Sequence, residues 1–181
     1  MLWLYGTLVY QIEGLQPVAN PRSRGLLVKE LAQCESIESL EKELQSQISG
    51  TPYSAFYFLA IEREVSMKMW RWDTTNLRQL VLPELPFWTT TSVNPEQVLP
   101  FRQKLAQDKI SKNGLNPESL KALHLAKGIP SSAKTIKMSR DDAHTVSFTH
   151  IQVYAKMTNM QYASRYGEEF AEAESTQAML S

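Results

Sequence analysis

Two arginines two residues apart, Arg22 and Arg24, stand either side of Ser23 in the run Val18-Ala19-Asn20-Pro21-Arg22-Ser23-Arg24-Gly25-Leu26-Leu27-Val28. An apolar stretch stops at Asn20-Pro21, crosses polar residues and restarts at helical spacing. The guanidiniums therefore flank a helix start, where free backbone N–H groups and the positive end of the dipole favour a carboxylate or phosphate. The alternative is that one guanidinium caps the neighbouring helix or pairs with a core carboxylate.

Other residues with chemical potential are scattered. His144 and His150 lie six apart on a predicted strand and share a face, but a metal there needs a third ligand, and Asp141 and Asp142 are only loosely placed. Thr89-Thr90-Thr91-Ser92 is a hydroxyl-rich run that lines a polar cleft or simply suits a pleated strand. Cys34 has nothing nearby to lower its pKa, and Glu35 would raise it. Trp3, Trp70, Trp72 and Trp88 with Phe87 form a large aromatic complement, read as core or as an apolar ligand groove. No Gly-rich phosphate loop, HExxH, GxSxG or CxxC occurs, so nucleotide hydrolases, zinc peptidases, serine esterases and dithiol redox enzymes lose their sequence support.

Composition narrows the classes further. Lys plus Arg and Asp plus Glu number 19 each, so no global field draws nucleic acid or an anionic membrane. With 181 residues and 43% hydrophobic content, one sizeable core is expected, as a single domain over residues 1–165. The single cysteine excludes an internal disulfide framework and fits a reducing, cytoplasmic setting. No run reaches the roughly 18 apolar residues of a membrane span, and residues 1–10 lack a basic leader region.

The elements that must position these residues follow from periodicity. Residues 2–10 and 15–19 read as a hairpin-like pair of strands broken at Gly14. Leu26, Leu27, Val28 and Leu31 predict one helix, and Ile37, Leu40, Leu44 and Ile48 a second that ends at Gly50-Thr51-Pro52. Residues 53–61 and 65–72 read as paired strands, the first apolar on both faces and so buried between two layers. A proline-punctuated connection covers 80–85, and 87–93 reads as a strand. Asn94-Pro95-Glu96-Gln97 supplies an N-cap, a proline at the first helical position and a capping-box-like Gln, for a helix to about residue 110. Asn116-Pro117-Glu118 repeats the device for a helix through 120–126. Residues 145–154 and 157–163 read as a hairpin, and the acidic tail from 166 as frayed or weakly helical. The order of elements predicts α+β layering.

Several segments, taken in order, resemble the NRDE family, also called the transport and Golgi organisation protein 2 family. Leu15-Gln16-Pro17-Val18-Ala19-Asn20-Pro21-Arg22 resembles its "ALTNxR" strand end, and Ser23-Arg24-Gly25-Leu26-Leu27-Val28 its "SRGxLV" helix start. Tyr53-Ser54-Ala55-Phe56-Tyr57-Phe58-Leu59 resembles "YNGFNLL". Phe87 to Ser92 stands in the place of "GLSN", and Asp142-Ala143-His144-Thr145-Val146-Ser147 in that of "GTRTxT". The resemblance implies a four-layer αββα sandwich of the N-terminal nucleophile hydrolase type, in which the free α-amino group serves as base for the first residue.

This chain departs from the pattern where the chemistry would lie. The family opens with Met-Cys and soon carries Asn-Arg-Asp-Glu; this sequence opens Met1-Leu2-Trp3 and contains no such tetrapeptide. Ser92 stands for the family's Asn and His144 for its Arg. Two explanations fit: a shell that kept its fold and lost its chemistry, or a reading truncated before its nucleophile strand. The first gives a noncatalytic protein that binds a small hydrophobic anionic molecule, haem-like or acyl, or a protein partner. Asn20, Arg22, Arg24, Ser92 and His144 are then the ligand-contacting residues. The second gives a C–N (amide) hydrolase, and a third reading is an assembly subunit, a homo-oligomer among its forms, completed by strand addition. No cofactor, metal, nucleic acid or membrane span enters any of these expectations.

Overall fold

The computed structural model describes residues 3–9, 18–62, 66–84, 87–89, 91, 93–126, 134–138, 144–166, 169–170 and 174–179. They are mixed α+β, in two compact units, Met1–Pro86 and Phe87–Ser181.

In the first unit, β1 (Trp3–Val9), β2 (Phe56–Glu62), β3 (Ser66–Trp72) and β4 (Leu77–Leu80) form an antiparallel sheet in that order. β1 pairs with β2, Gly6 opposite Leu59, although about fifty residues separate them. The expected hairpin partner at 15–19 lies outside the described residues up to 17, and residues 18–19 are not strand. The intervening chain forms α1 (Arg24–Leu31) and α2 (Ile37–Gly50). Ser23 takes the N-cap position of α1 but makes no side-chain cap bond. Ser36 and Ser39 close a reciprocal capping box on α2, which satisfies two otherwise orphaned donors.

The apolar stripe Ile37, Leu40, Leu44 and Ile48 is buried, and so are Leu27 and Leu31 of α1. They cluster with Tyr53, Phe56, Phe58, Ala60, Trp70 and Trp72. Trp70 and Trp72 share a face by the two-residue period, and both are buried in this core. On β2 the pattern alternates, with Phe56, Phe58 and Ala60 buried and Tyr57, Leu59 and Ile61 half-buried. The strand is apolar on both faces, as its sequence predicts, with one face buried and the other half-buried.

In the second unit, α3 (Pro95–Asn113) and α4 (Pro117–Leu125) precede β5 (Ser147–Val153) and β6 (Met157–Tyr166). The helix starts were legible, but they differ in mechanism. Asn116 and Ser119 form a capping box on α4, whereas Asn94 adopts a left-handed φ of 42° and its side chain makes no cap bond. α3 continues through Pro100 to Asn113, past the expected end. The strand expected over 87–93 is not found among its described residues 87–89, 91 and 93. There the Thr91 hydroxyl and the Val93 backbone bond each other locally, a turn-type alternative to ladder pairing.

β5 and β6 form the expected hairpin, Ile151 opposite Met160, closed by Tyr154 N–H donating to Met157 C=O at 2.8 Å. The tail corrects another expectation. Residues 169–170 form β7 (Glu169–Phe170) and 174–179 form β8 (Glu174–Met179), both antiparallel to β6. The acidic, small-residue composition of this run predicts a frayed or weakly helical tail. It is held instead by backbone pairing along β6, and every residue of β8 remains exposed.

Candidate functional site

The segment 18–24 is the place where sequence expectation and structure meet most closely. Asn20 holds a left-handed φ of 47°, turning the chain just before α1, and is exposed. Arg22 N–H donates to Pro52 C=O at 2.9 Å, tying the loop to the chain that leaves α2. Its guanidinium then spreads over three side chains, donating to Gln47 Oε1 at 2.9 Å, Tyr53 Oη at 3.2 Å and the Glu30 carboxylate. Gln47 is oriented in turn by Glu43, at 2.8 Å. The Tyr53 hydroxyl, and after it Glu30, holds the Arg22 guanidinium above its ordinary pKa. Arg22 therefore follows the structural reading: its charge is matched by Glu30, and it positions the loop against α1, α2 and Tyr53.

Arg24 is different. Its Nη1 donates to the Ala55 carbonyl at 3.0 Å, which fixes the side chain without neutralising it. Among the described residues no carboxylate forms an ion pair with Arg24, and it is only half-buried. A fixed, unneutralised guanidinium with further N–H groups is the form in which arginine recognises carboxylates. Of the two arginines singled out by spacing, Arg24 keeps the capacity for an anion.

A groove of about 350 Å³ adjoins this loop, with Val18, Ile48, Thr51, Tyr53, Trp72 and Thr74 among its walls. Pro52 and Tyr53 connect the two features, because both bond Arg22 and both line the groove. Trp72 is locked beneath it by its indole N–H, which donates to Tyr53 C=O at 3.1 Å. No charged side chain lines the groove. A roomier hollow, of about 480 Å³, is walled by α2 alone, from Glu41 to Ser49, and is the outer surface of one helix.

The remaining predicted site residues are not assembled here. Ser92 lies outside the described residues. His144 is exposed at an isolated bridge position, three residues before β5 begins, so it does not share a strand with His150 as expected. His150 is half-buried in β5, its ring near that of Phe148, which lies near His124, whose ring in turn lies near Phe87. Among the described residues, no group of three or more His, Cys, Asp or Glu is placed to hold a metal ion.

Cys34 packs against the first unit's core. Its thiol is pushed above its ordinary pKa, first by burial and then by Glu43, against a hydrogen bond with Ser39. The acid that acts on it is thus Glu43, in the second turn of α2, rather than its neighbour Glu35. The groove's position at the end of α2 is not legible in the sequence. Of its walls the sequence singles out only Trp72, as core or as part of an apolar ligand groove; a further signal is the Gly50-Thr51-Pro52 helix stop, where Pro52 supplies no N–H to close the last turn.

No protein-family model matches the chain, and no curated protein matches it. No helix among the described residues is long and apolar enough to cross a membrane.

Proposed function

We propose that the chain is a noncatalytic, NRDE-like protein that binds a small hydrophobic anionic molecule. The observation that carries this reading is Arg24: a cation at the first residue of α1, fixed by the Ala55 carbonyl and without an acidic partner among the described residues, directly after a loop pinned beside an uncharged groove. The loop contacts the ligand's carboxylate or phosphate, and the groove takes its apolar part. Arg22 is a positioning residue rather than a contact. Cys34 supports the noncatalytic side, because a thiol held protonated by burial and Glu43 is the reverse of an activated nucleophile.

The four-layer αββα sandwich belongs to the same proposal. Its support is that each unit, by itself, joins helices to an antiparallel sheet that also carries a second apolar face: Tyr57, Leu59 and Ile61 on β2, and Ile151, Val153, Met160 and Tyr162 on β5 and β6. The lone cysteine, free in this fold, supports a reducing, cytoplasmic setting.

Titration with an acyl thioester and with haem tests the reading. Saturable quenching of tryptophan fluorescence, or a Soret shift, is the expected result. Unchanged fluorescence and an unchanged Soret band with both ligands overturn it.

A second reading, completion by strand addition, rests on β1. It is the edge of its sheet among the described strands, so its outer N–H and C=O groups face no strand there. Size-exclusion chromatography with light scattering decides it: a stable oligomer supports strand addition, and a monomer at all concentrations removes it.

A further inference from the structure

The face of the first sheet opposite α1 and α2 carries an unbalanced pair of charges. Directly opposed residues of an antiparallel pair share a face, and the register sets Tyr57 beside Arg71 and Arg71 beside Arg78, in one row across β2, β3 and β4. The helix-covered face takes the alternate residues, Phe56, Phe58, Trp70 and Trp72, so both guanidiniums stem from the other one. Arg71 is half-buried and Arg78 exposed. Like charges set directly opposite on a sheet repel each other.

Among the described residues no carboxylate forms an ion pair with either arginine. Asp73 is the acid that senses both, and its carboxylate is already engaged by the Asn76 and Thr75 N–H groups, at 2.7 and 3.1 Å. Two positive charges therefore face one negative charge, and one is left over. Arg71 Nε is also shielded from solvent and meets no acceptor among the described residues, which leaves its guanidinium short of a hydrogen bond. A structural arginine resolves both deficits, as Arg22 does with Glu30, Gln47 and Tyr53.

We propose that Arg71 and Arg78, opposed on β3 and β4, form a binding site for a phosphoryl group, esterified to a small molecule or free in solution. A bridging oxyanion cancels their repulsion, offsets the charge that Asp73 leaves over and supplies an acceptor for Arg71 Nε. A carboxylate has two oxygens and fills one guanidinium fork, whereas a phosphoryl group offers at least three acceptor oxygens to two forks side by side. The site is separate from Arg24, which stands at the start of α1 and bonds Ala55, and the two readings succeed or fail independently.

The experiment is a titration of the whole chain with inorganic phosphate at fixed, slightly acidic pH and fixed ionic strength, followed by the Nε–H resonances of Arg71 and Arg78. Both are expected to shift saturably with one Kd. Arg78→Gln should weaken binding about tenfold or more, Arg78→Lys should restore only part of it because an ammonium has no fork, and Arg24→Gln should leave it unchanged. Phenyl phosphate binding as tightly as inorganic phosphate assigns the site to esterified groups, and inorganic phosphate binding alone assigns it to the free ion. Acetate should bind more weakly than either; equal affinity overturns the choice of a phosphoryl group. Urea unfolding in phosphate-free buffer separates the site from a structural role, since Arg78→Gln relieves repulsion and should leave the midpoint unchanged or raise it. A lowered midpoint makes Arg78 a structural partner, and the proposal fails. Resonances unmoved by phosphate, or shifts that Arg24→Gln abolishes and Arg78→Gln does not, also overturn it.

Discussion

Arg22 and Tyr53, 31 residues apart in sequence, meet where the guanidinium donates to the phenolic oxygen at 3.2 Å. That bond joins the loop before α1 to the chain after α2, and Tyr53 is itself 1% exposed at the edge of the core. Tyr53→Phe keeps the ring in place and removes one acceptor. It is expected to cost about 1 kcal/mol of unfolding free energy in urea. The Arg22 bonds to Glu30 and Gln47 should survive, so the loop should keep its amide exchange protection at Arg22 N–H.

The stripe on α2 supplies the packing that holds this frame. Leu40 and Leu44 are fully buried against the sheet, and Leu44→Ala is expected to cost ~2–5 kcal/mol, the range for a core leucine that leaves a cavity. Ser36→Ala, which removes the capping box at the start of the same helix, should cost ~0.5–2 kcal/mol. Chemical denaturation with an unchanged slope checks both.

Much of this frame was legible. Steps of three and four in Ile37, Leu40, Leu44 and Ile48 fix a helix face whatever follows, and Asn-Pro-Glu at 116–118 announces a helix by its local chemistry. Trp70 and Trp72 were readable as one face because a strand's period is two. What sequence did not reveal depends on partners distant along the chain. β1 pairs with β2 across two helices, and β8 is a strand through the backbone of β6, with no apolar alternation of its own. The 87–93 segment misled in the opposite direction, since threonine-rich sequence suits both strands and locally bonded turns. At the site, spacing found Arg22 and Arg24 but did not separate them. Only the placement of Glu30, Gln47 and Tyr53 around one of them does so.

Thr74 offers a test of backbone strain. Glycine occupies φ of 78° without a Cβ penalty, so Thr74→Gly should leave stability unchanged or raise it by up to ~1 kcal/mol, strain relief being offset in part by glycine's greater unfolded-state entropy. A variant destabilised by several kcal/mol would contradict the strain assignment.

Asp73 makes the same turn sensitive to acid. Its carboxyl is held below the ordinary carboxylate range chiefly by Asn76 N–H, then by Thr75 N–H and the charges of Arg78 and Arg71, against some desolvation. A depressed folded-state pKa contributes stability that is present above the unfolded value of about 3.9 and is lost as pH falls through the folded value. Asp73→Asn keeps the turn's acceptor and should flatten this part of the pH profile. An NMR titration of the Asp73 carboxyl checks the direction.

For Cys34 the sign is opposite. A thiol pKa raised by burial and Glu43 favours the neutral form in the folded state, so its stabilising contribution is full below the unfolded thiol value and lost as pH rises through the folded one. Folded protein should react slowly with iodoacetamide at neutral pH, and unfolding in urea should accelerate the reaction. Fast labelling of the folded chain would mean an activated thiol and reopen catalysis.

The central claim is that Arg24, and not Arg22, receives an anion beside an uncharged groove. Calorimetric titration of octanoate into the wild-type chain and into Arg24→Gln tests it most directly. Saturable binding to the wild type, weakened tenfold or more in Arg24→Gln with the fold intact, is the predicted result, since a charge-assisted bond is worth ~1.5–3 kcal/mol. Equal affinity in the two proteins, or no binding to either, would contradict it.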